Sequence, residues 1–171
     1  MNIFYTNCCP VVCAMEHCNT HVNKMICEST QLLSTAHRLL DGDDSADSLG
    51  CIKKTHINHP SNVWVRQSSQ HYQWLQQMAL ALSEAYTERT GKKHAYADLI
   101  VRLEKNPVNL EDRGFQEPPV AAPDEFKTIS DKTQAYQKYL NWKFKDWTTR
   151  TDKRKMRVEF FYGKPKWVVS V

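Results

Sequence analysis

The sequence has no long apolar run. No stretch of about 18 consecutive apolar residues occurs among its 171 residues, so we expect no helix that crosses a membrane. The opening residues contain neither a basic cluster nor a long apolar segment, which argues against a secretory signal. We therefore expect a cytoplasmic protein, and the length suits one domain over residues 1–171.

Glycine is scarce, and internal repeats are absent. The five glycines are scattered, and none belongs to a Gly-rich loop of the kind that cradles nucleotide phosphates. No segment repeats at a fixed period, which argues against a repeat architecture. We expect no cofactor.

Cysteine is missing from the last two-thirds of the chain. All six cysteines lie between residues 8 and 51, and without a secretory signal we expect free thiols rather than disulfides. One alternative is a zinc site drawn from Cys13, His17, Cys18 and His21, because His17 and His21 share a helix face if the first helix extends back that far. No second cysteine pair completes such a site, and we expect no bound metal.

Positive charge is concentrated toward the C-terminal end. Residues 1–126 contain 11 Lys or Arg against 15 Asp or Glu, whereas residues 127–171 contain 12 against 4. This asymmetry is typical of a surface that binds a polyanion such as nucleic acid. The alternative interpretation of the basic C-terminal part, residues 128–171, is a solvated face or a disordered tail.

Helical periodicity is strongest in the first half of the chain. Apolar residues between 20 and 40 recur at i, i+3, i+4 and i+7 and predict a helix that stops before Gly42. The acidic and polar stretch 43–58 reads as a loop. A second helix of about 30 residues is predicted from Pro60 to Gly91, since proline suits the first turn of a helix.

Two shorter helices are predicted in the second half, over about 94–105 and 130–147. Between them, residues 106–123 contain four of the seven prolines and predict a long loop. The predicted fold class is all-α: a compact helical domain of about four main helices, with a long Pro-rich loop and a basic C-terminal segment.

Three polar residues of the first helix share one row. On a helical projection His21, Lys24 and Glu28 fall within about 60° of each other, at the edge of the apolar stripe. Side chains there are half desolvated, so a carboxylate or an amine can acquire a shifted pKa. The simpler interpretation is a surface ion pair between Lys24 and Glu28, which are spaced i, i+4.

Five segments of the chain carry a resemblance to known proteins: HVNKMICESTQLL (21–33), NHPSNVW (58–64), YQWL (72–75), PPVAAPDEFK (118–127) and YGKPKW (162–167). They resemble a phage-type group of small proteins that is itself similar to the pyrimidine-dimer DNA glycosylases of endonuclease V type. The resemblance to the phage-type group extends over most of the chain, and the similarity to the glycosylases rests mainly on the first two helices.

The resemblance implies a reaction at the sugar of a damaged nucleotide. In that family an N-terminal amine attacks C1′ of a sugar whose base has left the stack, and a helix-borne glutamate assists. Glu28 matches that glutamate, with His21 as its orienting partner. The residue after the initiator methionine is small in the family, but here it is the larger Asn2. The amine would then come from Met1 or from Lys24.

Basic and aromatic residues alternate in the C-terminal third, a combination typical of nucleic-acid surfaces. Lysine and arginine neutralise phosphates, and aromatic faces stack on exposed bases. His59 either contacts phosphate or simply caps a helix. The predicted DNA-binding residues are His59, Arg66, Lys92, Lys93, Lys153, Arg154, Lys155, Arg157, Tyr162, Lys164, Lys166 and Trp167.

Three functions remain open from the sequence. The first is a DNA N-glycosylase with AP-lyase activity on damaged or modified bases. The second is a non-enzymatic phage accessory protein that binds nucleic acid or a host factor. The third is a small-molecule or nucleotide binder that uses His21, Lys24 and Glu28. We expect DNA as the partner, a host protein as a further partner, and a monomer in the cytoplasm, that of the host if the chain is phage-encoded.

Overall fold

The protein is built from helices alone. A computed structural model describes residues 1–171 and contains no strand. The helices are α1 Pro10–Met15, α2 Asn19–Leu40, α3 Asp43–Leu49, α4 Pro60–Val65, α5 Ser69–Thr90, α6 Ala97–Arg102, α7 Asp124–Lys127 and α8 Lys132–Thr149. The all-α prediction is confirmed, but the helices number eight. None of them combines the length and the apolar composition that crossing a bilayer requires.

Helices α2 and α5 lie at the centre and run in opposite directions. His37, near the end of α2, is 3.0 Å from the hydroxyl of Tyr72, near the start of α5. At the other end, Asn19 of α2 and Thr90 of α5 line the same cavity. Helices α1 and α2 both pack on α5, so the first third of the chain wraps around this helix.

The helix predicted from Pro60 to Gly91 is divided into α4 and α5. Ser68 adopts an extended backbone between them, and its Oγ accepts hydrogen bonds from the backbone of Gln70 and of Arg113. This side chain therefore caps the start of α5 and also holds the following loop. The apolar periodicity continues across the break, so the pattern alone did not reveal it.

The stretch predicted as a loop over 43–58 contains helix α3. Its first turn carries Asp43 and Asp44, whose negative charge suits the positive end of a helix dipole. The Arg38 guanidinium contacts the carboxylates of Asp43 and Asp47 at 3.1 and 2.6 Å. The prediction missed this helix because its stabilising partner lies on α2.

Residues 103–123 form no helix between α6 and α7. Helix α6 is shorter than the predicted 94–105 segment. The loop is held against the core: the Trp64 indole donates to the Gln116 carbonyl at 2.8 Å, and His71 accepts from the Gln116 amide at 2.9 Å.

Helix α8 starts and ends two residues later than the predicted 130–147 segment. The Asp131 carboxylate caps it by accepting from the Gln134 amide at 2.9 Å. The face of α8 that packs inward is the predicted one, and it carries Ala135, Tyr136, Tyr139, Leu140, Phe144 and Trp147. All of these side chains are buried except that of Tyr139, which is half-buried. The short helices α1 and α7 were not predicted.

Candidate functional site beside the N-terminal segment

The first residues of the chain lie in the core. Ile3, Phe4 and Tyr5 are at most 2% exposed. The side-chain Nδ2 of Asn2 donates to the Ala121 carbonyl at 2.7 Å, and the side-chain Oδ1 accepts from the backbone nitrogen of Ile3 at 2.9 Å. The position of residue 2 is therefore fixed by the Pro-rich loop on one side and by its own turn on the other.

Glu28 of α2 meets this segment. Its Oε2 accepts a hydrogen bond from the backbone nitrogen of Asn2 at 2.7 Å. Its Oε1 lies 3.7 Å from the ammonium of Lys24, one turn earlier on the helix. The Glu28 side chain is 15% exposed and that of Lys24 is 57% exposed. One nearly buried carboxylate thus stands between two nitrogens.

An open cavity of about 400 Å³ lies beside the N-terminal segment that contacts Glu28. Its walls come from the first residue, the start of α4, the Pro-rich loop, α7 and α8. The lining residues are Met1, His59, Pro60, Val120, Ala121, Ala122, Pro123, Lys127 and Tyr139. Residues that are far apart in sequence therefore form one recess beside Met1, whose neighbour Asn2 contacts Glu28.

His59 lines the cavity and begins α4. Its Nδ1 accepts from the Ser61 amide at 3.2 Å, so the ring caps the helix. Partial burial lowers the pKa of His59, and the positive charges of the N-terminal amine and His56 lower it further, while Glu28 opposes them. A neutral imidazole in the cavity wall is the consequence.

His21 does not share the half-exposed row with Lys24 and Glu28. It is 1% exposed, its ring stacks on Phe4 at 4.5 Å, and neither ring nitrogen has a hydrogen-bond partner. Burial holds the pKa of His21 well below its usual range. The structure therefore places His21 in the aromatic core without a contact that would orient Glu28.

Lys143 of α8 belongs to this neighbourhood and was absent from the predicted site residues. Its ammonium lies 5.0 Å from the ring centre of Phe4, 4.8 Å from that of Trp147 and 5.7 Å from that of Tyr139. Burial and the nearby Lys24 lower the pKa of Lys143, whereas aromatic faces favour the charged form. The spacing of Tyr139, Lys143 and Trp147, four residues apart on one helix face, is the sequence signal that could have found it.

The predicted DNA-binding residues near the end of α5 do not line the cavity beside Met1. Lys92 and Lys93 follow α5, and Lys93 forms an ion pair with Asp98. Arg66 is half-buried and donates to the carbonyl of Ile57 at 2.8 Å.

The C-terminal segment is exposed, but part of its charge is neutralised within the chain. Arg154 pairs with Asp152 at 2.7 Å and Arg157 with Glu159 at 3.2 Å. Lys153 and Lys155 make no ion pair, and nor does Lys166. The Lys164 ammonium instead donates to the carbonyl of Val171 at 2.7 Å, so this lysine is held within the chain while it keeps its charge.

The two aromatic residues predicted to contact DNA in this segment have protein partners. The Tyr162 hydroxyl donates to Glu88 at 2.5 Å, and desolvation together with this carboxylate raises the pKa of Tyr162 to about 12. Trp167 is half-buried and stacks on Phe144 with ring centres 6.5 Å apart. Tyr162 is nevertheless 42% exposed, so part of its ring stays open to solvent, whereas the Trp167 ring is partly covered by the core.

The cysteines form no metal centre. All six are free thiols, and no group of three or more His, Cys, Asp or Glu side chains is arranged to hold an ion. Cys13 donates to the carbonyl of Phe4, and His17 contacts the carbonyl of Cys13 at 2.7 Å. The zinc alternative involving Cys13, His17, Cys18 and His21 is therefore not supported.

Comparison with protein-family models, with curated proteins and with solved structures finds no match to the chain.

Proposed function

We propose that the chain is a DNA-binding base-excision protein of the pyrimidine-dimer glycosylase and AP-lyase type, acting on damaged or modified bases. The observation that supports this most is the position of Glu28, whose carboxylate lies 2.7 Å from the Asn2 nitrogen and 3.7 Å from the Lys24 ammonium. The adjacent cavity offers space for a nucleotide sugar. The resemblance of the first helix to the glycosylases assigns its catalytic role to the same glutamate.

The reaction needs one amine and one carboxylate. The amine nitrogen forms a bond to C1′, the C1′–base bond breaks, and the base leaves with the bonding electrons and takes up a proton. The carboxylate of Glu28 accepts the proton that the attacking amine releases. The protonated carboxyl returns this proton to O4′ when the C1′–O4′ bond breaks, which leaves the ring-opened sugar as a Schiff base. Loss of a C2′ proton to a base, for which the Glu28 carboxylate is again available, then forms the C2′–C3′ double bond while the 3′ phosphate leaves with the electrons of the C3′–O bond.

The identity of the amine divides the proposal into two variants. With Met1 in place the Asn2 nitrogen is an amide, and the amine comes from Met1 or from Lys24. If Met1 is removed, the Asn2 nitrogen becomes a primary amine already hydrogen-bonded to Glu28. The side chain of Asn2 is larger than those that favour methionine removal, which supports the first variant.

Borohydride trapping on DNA that contains an abasic site tests the proposal. We expect a covalent adduct with the natural chain and at least a hundredfold slower trapping with Glu28→Gln, on the scale of general acid–base effects, about 10²–10⁴. Glu104→Gln, at an exposed glutamate on the far side of α5, is the matched control and keeps full trapping. No adduct with the natural chain would refute the lyase activity.

Peptide mapping of the adduct identifies the nitrogen. Lys24→Ala removes one candidate, and mass spectrometry of the intact chain reports whether Met1 is retained. Asn2→Ser places a small residue at position 2, and we expect it to promote methionine removal and to raise the adduct yield if the Asn2 nitrogen is the nucleophile. A yield that depends only on Lys24 assigns the reaction to that lysine.

A non-enzymatic accessory protein that binds nucleic acid or a host factor is the second candidate. It is favoured by the amide state of the Asn2 nitrogen, which lacks nucleophilic character while Met1 is attached. This function predicts DNA binding that weakens steeply with salt, without any trapped adduct.

A further inference from the structure

One tryptophan has an exposed ring. Trp142 is 51% exposed, whereas Trp64, Trp74 and Trp147 are at most 8% exposed and Trp167 is half-buried. A large apolar ring in water is costly unless it has a partner, so an exposed tryptophan beside polar groups often marks a contact site.

The Trp142 ring is the outer member of an aromatic stack. It lies nearly parallel to Tyr139, with an interplanar angle of 21° and ring centres 6.1 Å apart. Phe126 of α7 supports both rings, at 5.4 Å from Tyr139 and 6.2 Å from Trp142. This support fixes the Trp142 ring, so a further planar group would meet a preformed surface.

Two lysines flank Trp142 on the outer face of α8. Lys138 lies one turn before it and Lys145 one turn after it, and both are exposed. Neither ammonium forms an ion pair or a hydrogen bond within the chain. The carboxylate of Asp146, the residue after Lys145, pairs instead with Arg150 at 2.6 Å. The row of Lys138, Trp142 and Lys145 therefore combines a free aromatic face with two unpaired positive charges.

We propose that this outer face of α8 binds an unpaired nucleobase, which stacks on Trp142 while Lys138 and Lys145 contact the phosphates on either side. An aromatic ring stacks on any base whose face is open, and flexible lysine side chains follow the backbone without reading its sequence. The two lysines are about 10 Å apart along the helix axis. An intact duplex covers the faces of its bases, so the surface favours a single strand or a duplex with a displaced base.

The surface is continuous with the cavity of the candidate site. Tyr139, the second ring of the stack, also lines the cavity together with Met1 and His59. A strand held on Trp142 therefore lies beside the cavity that Met1 and His59 line. In this respect the inference rests on the proposed function, although the binding itself requires no chemistry.

Titration of the full chain with a short oligothymidylate, followed by tryptophan fluorescence, tests the inference. We expect quenching on binding, because the base stacks on the most exposed tryptophan. Trp142→Ala weakens binding about tenfold, as expected for one base stack, and Trp142→Phe retains most of the affinity without the quenching. The intact duplex of the same length binds more weakly than the single strand.

The salt dependence tests the lysines. Replacing Lys138 and Lys145 by alanine lowers the slope of log affinity against log salt by about 1.4, or about 0.7 for each lost phosphate contact of a single strand. The matched controls are Phe161→Ala, at an aromatic residue that is 45% exposed, and the pair Lys53→Ala and Lys105→Ala, at exposed lysines outside the basic C-terminal part. Equal losses in the controls, or unchanged affinity in Trp142→Ala, would overturn the inference.

The two proposals fail separately. If binding depends on Trp142 but no borohydride adduct forms, the lyase activity is contradicted and the proposed binding surface on α8 is supported. An adduct on abasic DNA combined with unchanged oligothymidylate binding in Trp142→Ala contradicts the surface alone. Circular dichroism of each variant verifies the helical fold, and the exposed position of Trp142 makes loss of folding an unexpected result.

Discussion

The N-terminal segment lies in the core, where the backbone nitrogen and both side-chain polar atoms of Asn2 are hydrogen-bonded. The C-terminal segment lies on the surface, where its arginines pair with neighbouring carboxylates. Asn2 bonds to Glu28, to Ala121 and to its own turn. Arg154 and Arg157 instead bond to acidic residues two positions away in sequence. The difference teaches that a cluster of charge in a sequence is a weaker indicator of a site than one carboxylate with a buried, long-range partner.

Replacing a buried ring at the N-terminal end should have the largest effect. Phe4 is 2% exposed and contacts His21 and Tyr136, so Phe4→Ala should lower the free energy of unfolding by about 3–5 kcal/mol. Phe161→Ala, in the exposed C-terminal segment, should change it by no more than about 0.5 kcal/mol. Urea unfolding measures both, and equal effects would remove the contrast between the two segments.

Acid should weaken the N-terminal half selectively. Burial lowers the pKa of His17 from 6.5 to about 4. Between these two pH values the imidazole is protonated in the unfolded chain and neutral in the folded chain. The stabilisation from the neutral, buried imidazole is complete above pH 6.5. As the pH falls from 6.5 to about 4, the free energy of unfolding should decrease by about 3 kcal/mol. Histidine is absent after residue 94.

Urea unfolding of the natural chain and of His17→Leu between pH 7 and pH 4 measures this effect. The variant should show a shallower decline, whatever constant offset the lost bond to Cys13 adds. Parallel pH curves for the two proteins would mean that His17 does not carry the effect. His21 shifts in the same direction, so part of the decline remains in the variant.

Loss of a C-terminal ion pair should have the smallest effect. Arg154 is 71% exposed, and its pair with Asp152 is screened by water, so Arg154→Ala should change the free energy of unfolding by less than about 1 kcal/mol. Arg38 is a useful comparison, since its side chain is 10% exposed and also donates to the carbonyls of Cys51 and Ile52. Arg38→Ala should cost about 2 kcal/mol or more.

Local signals predicted the long helices well. Periodicity placed α2 to within one residue at its start, and proline and glycine marked the start of α4 and the end of α5. The break between α4 and α5 could not be predicted, because Ser68 is held by Arg113 of the distant Pro-rich loop. Helix α3 was missed for the same reason, since Arg38 on another helix stabilises it.

Helical periodicity predicted only the α2 part of the candidate site, whereas Met1 and Asn2 were named through the resemblance. Helical spacing brought Lys24 and Glu28 together, and the structure places them 3.7 Å apart. The nitrogen of Asn2 and the ammonium of Lys143 come from segments with no periodic relation to α2. His21 was misplaced because the aromatic rings that enclose it arrive from the N-terminal segment and from α8.

The fixed position of Asn2 has a practical consequence for recombinant protein. Any residues fused ahead of Met1 would have to emerge through the recess beside His59 and Tyr139, and would compete with whatever enters it. Val169, near the opposite terminus, is 83% exposed and leaves room for an extension. An affinity handle after Val171 therefore keeps the recess open, and one at the front should be cleaved off before binding is measured.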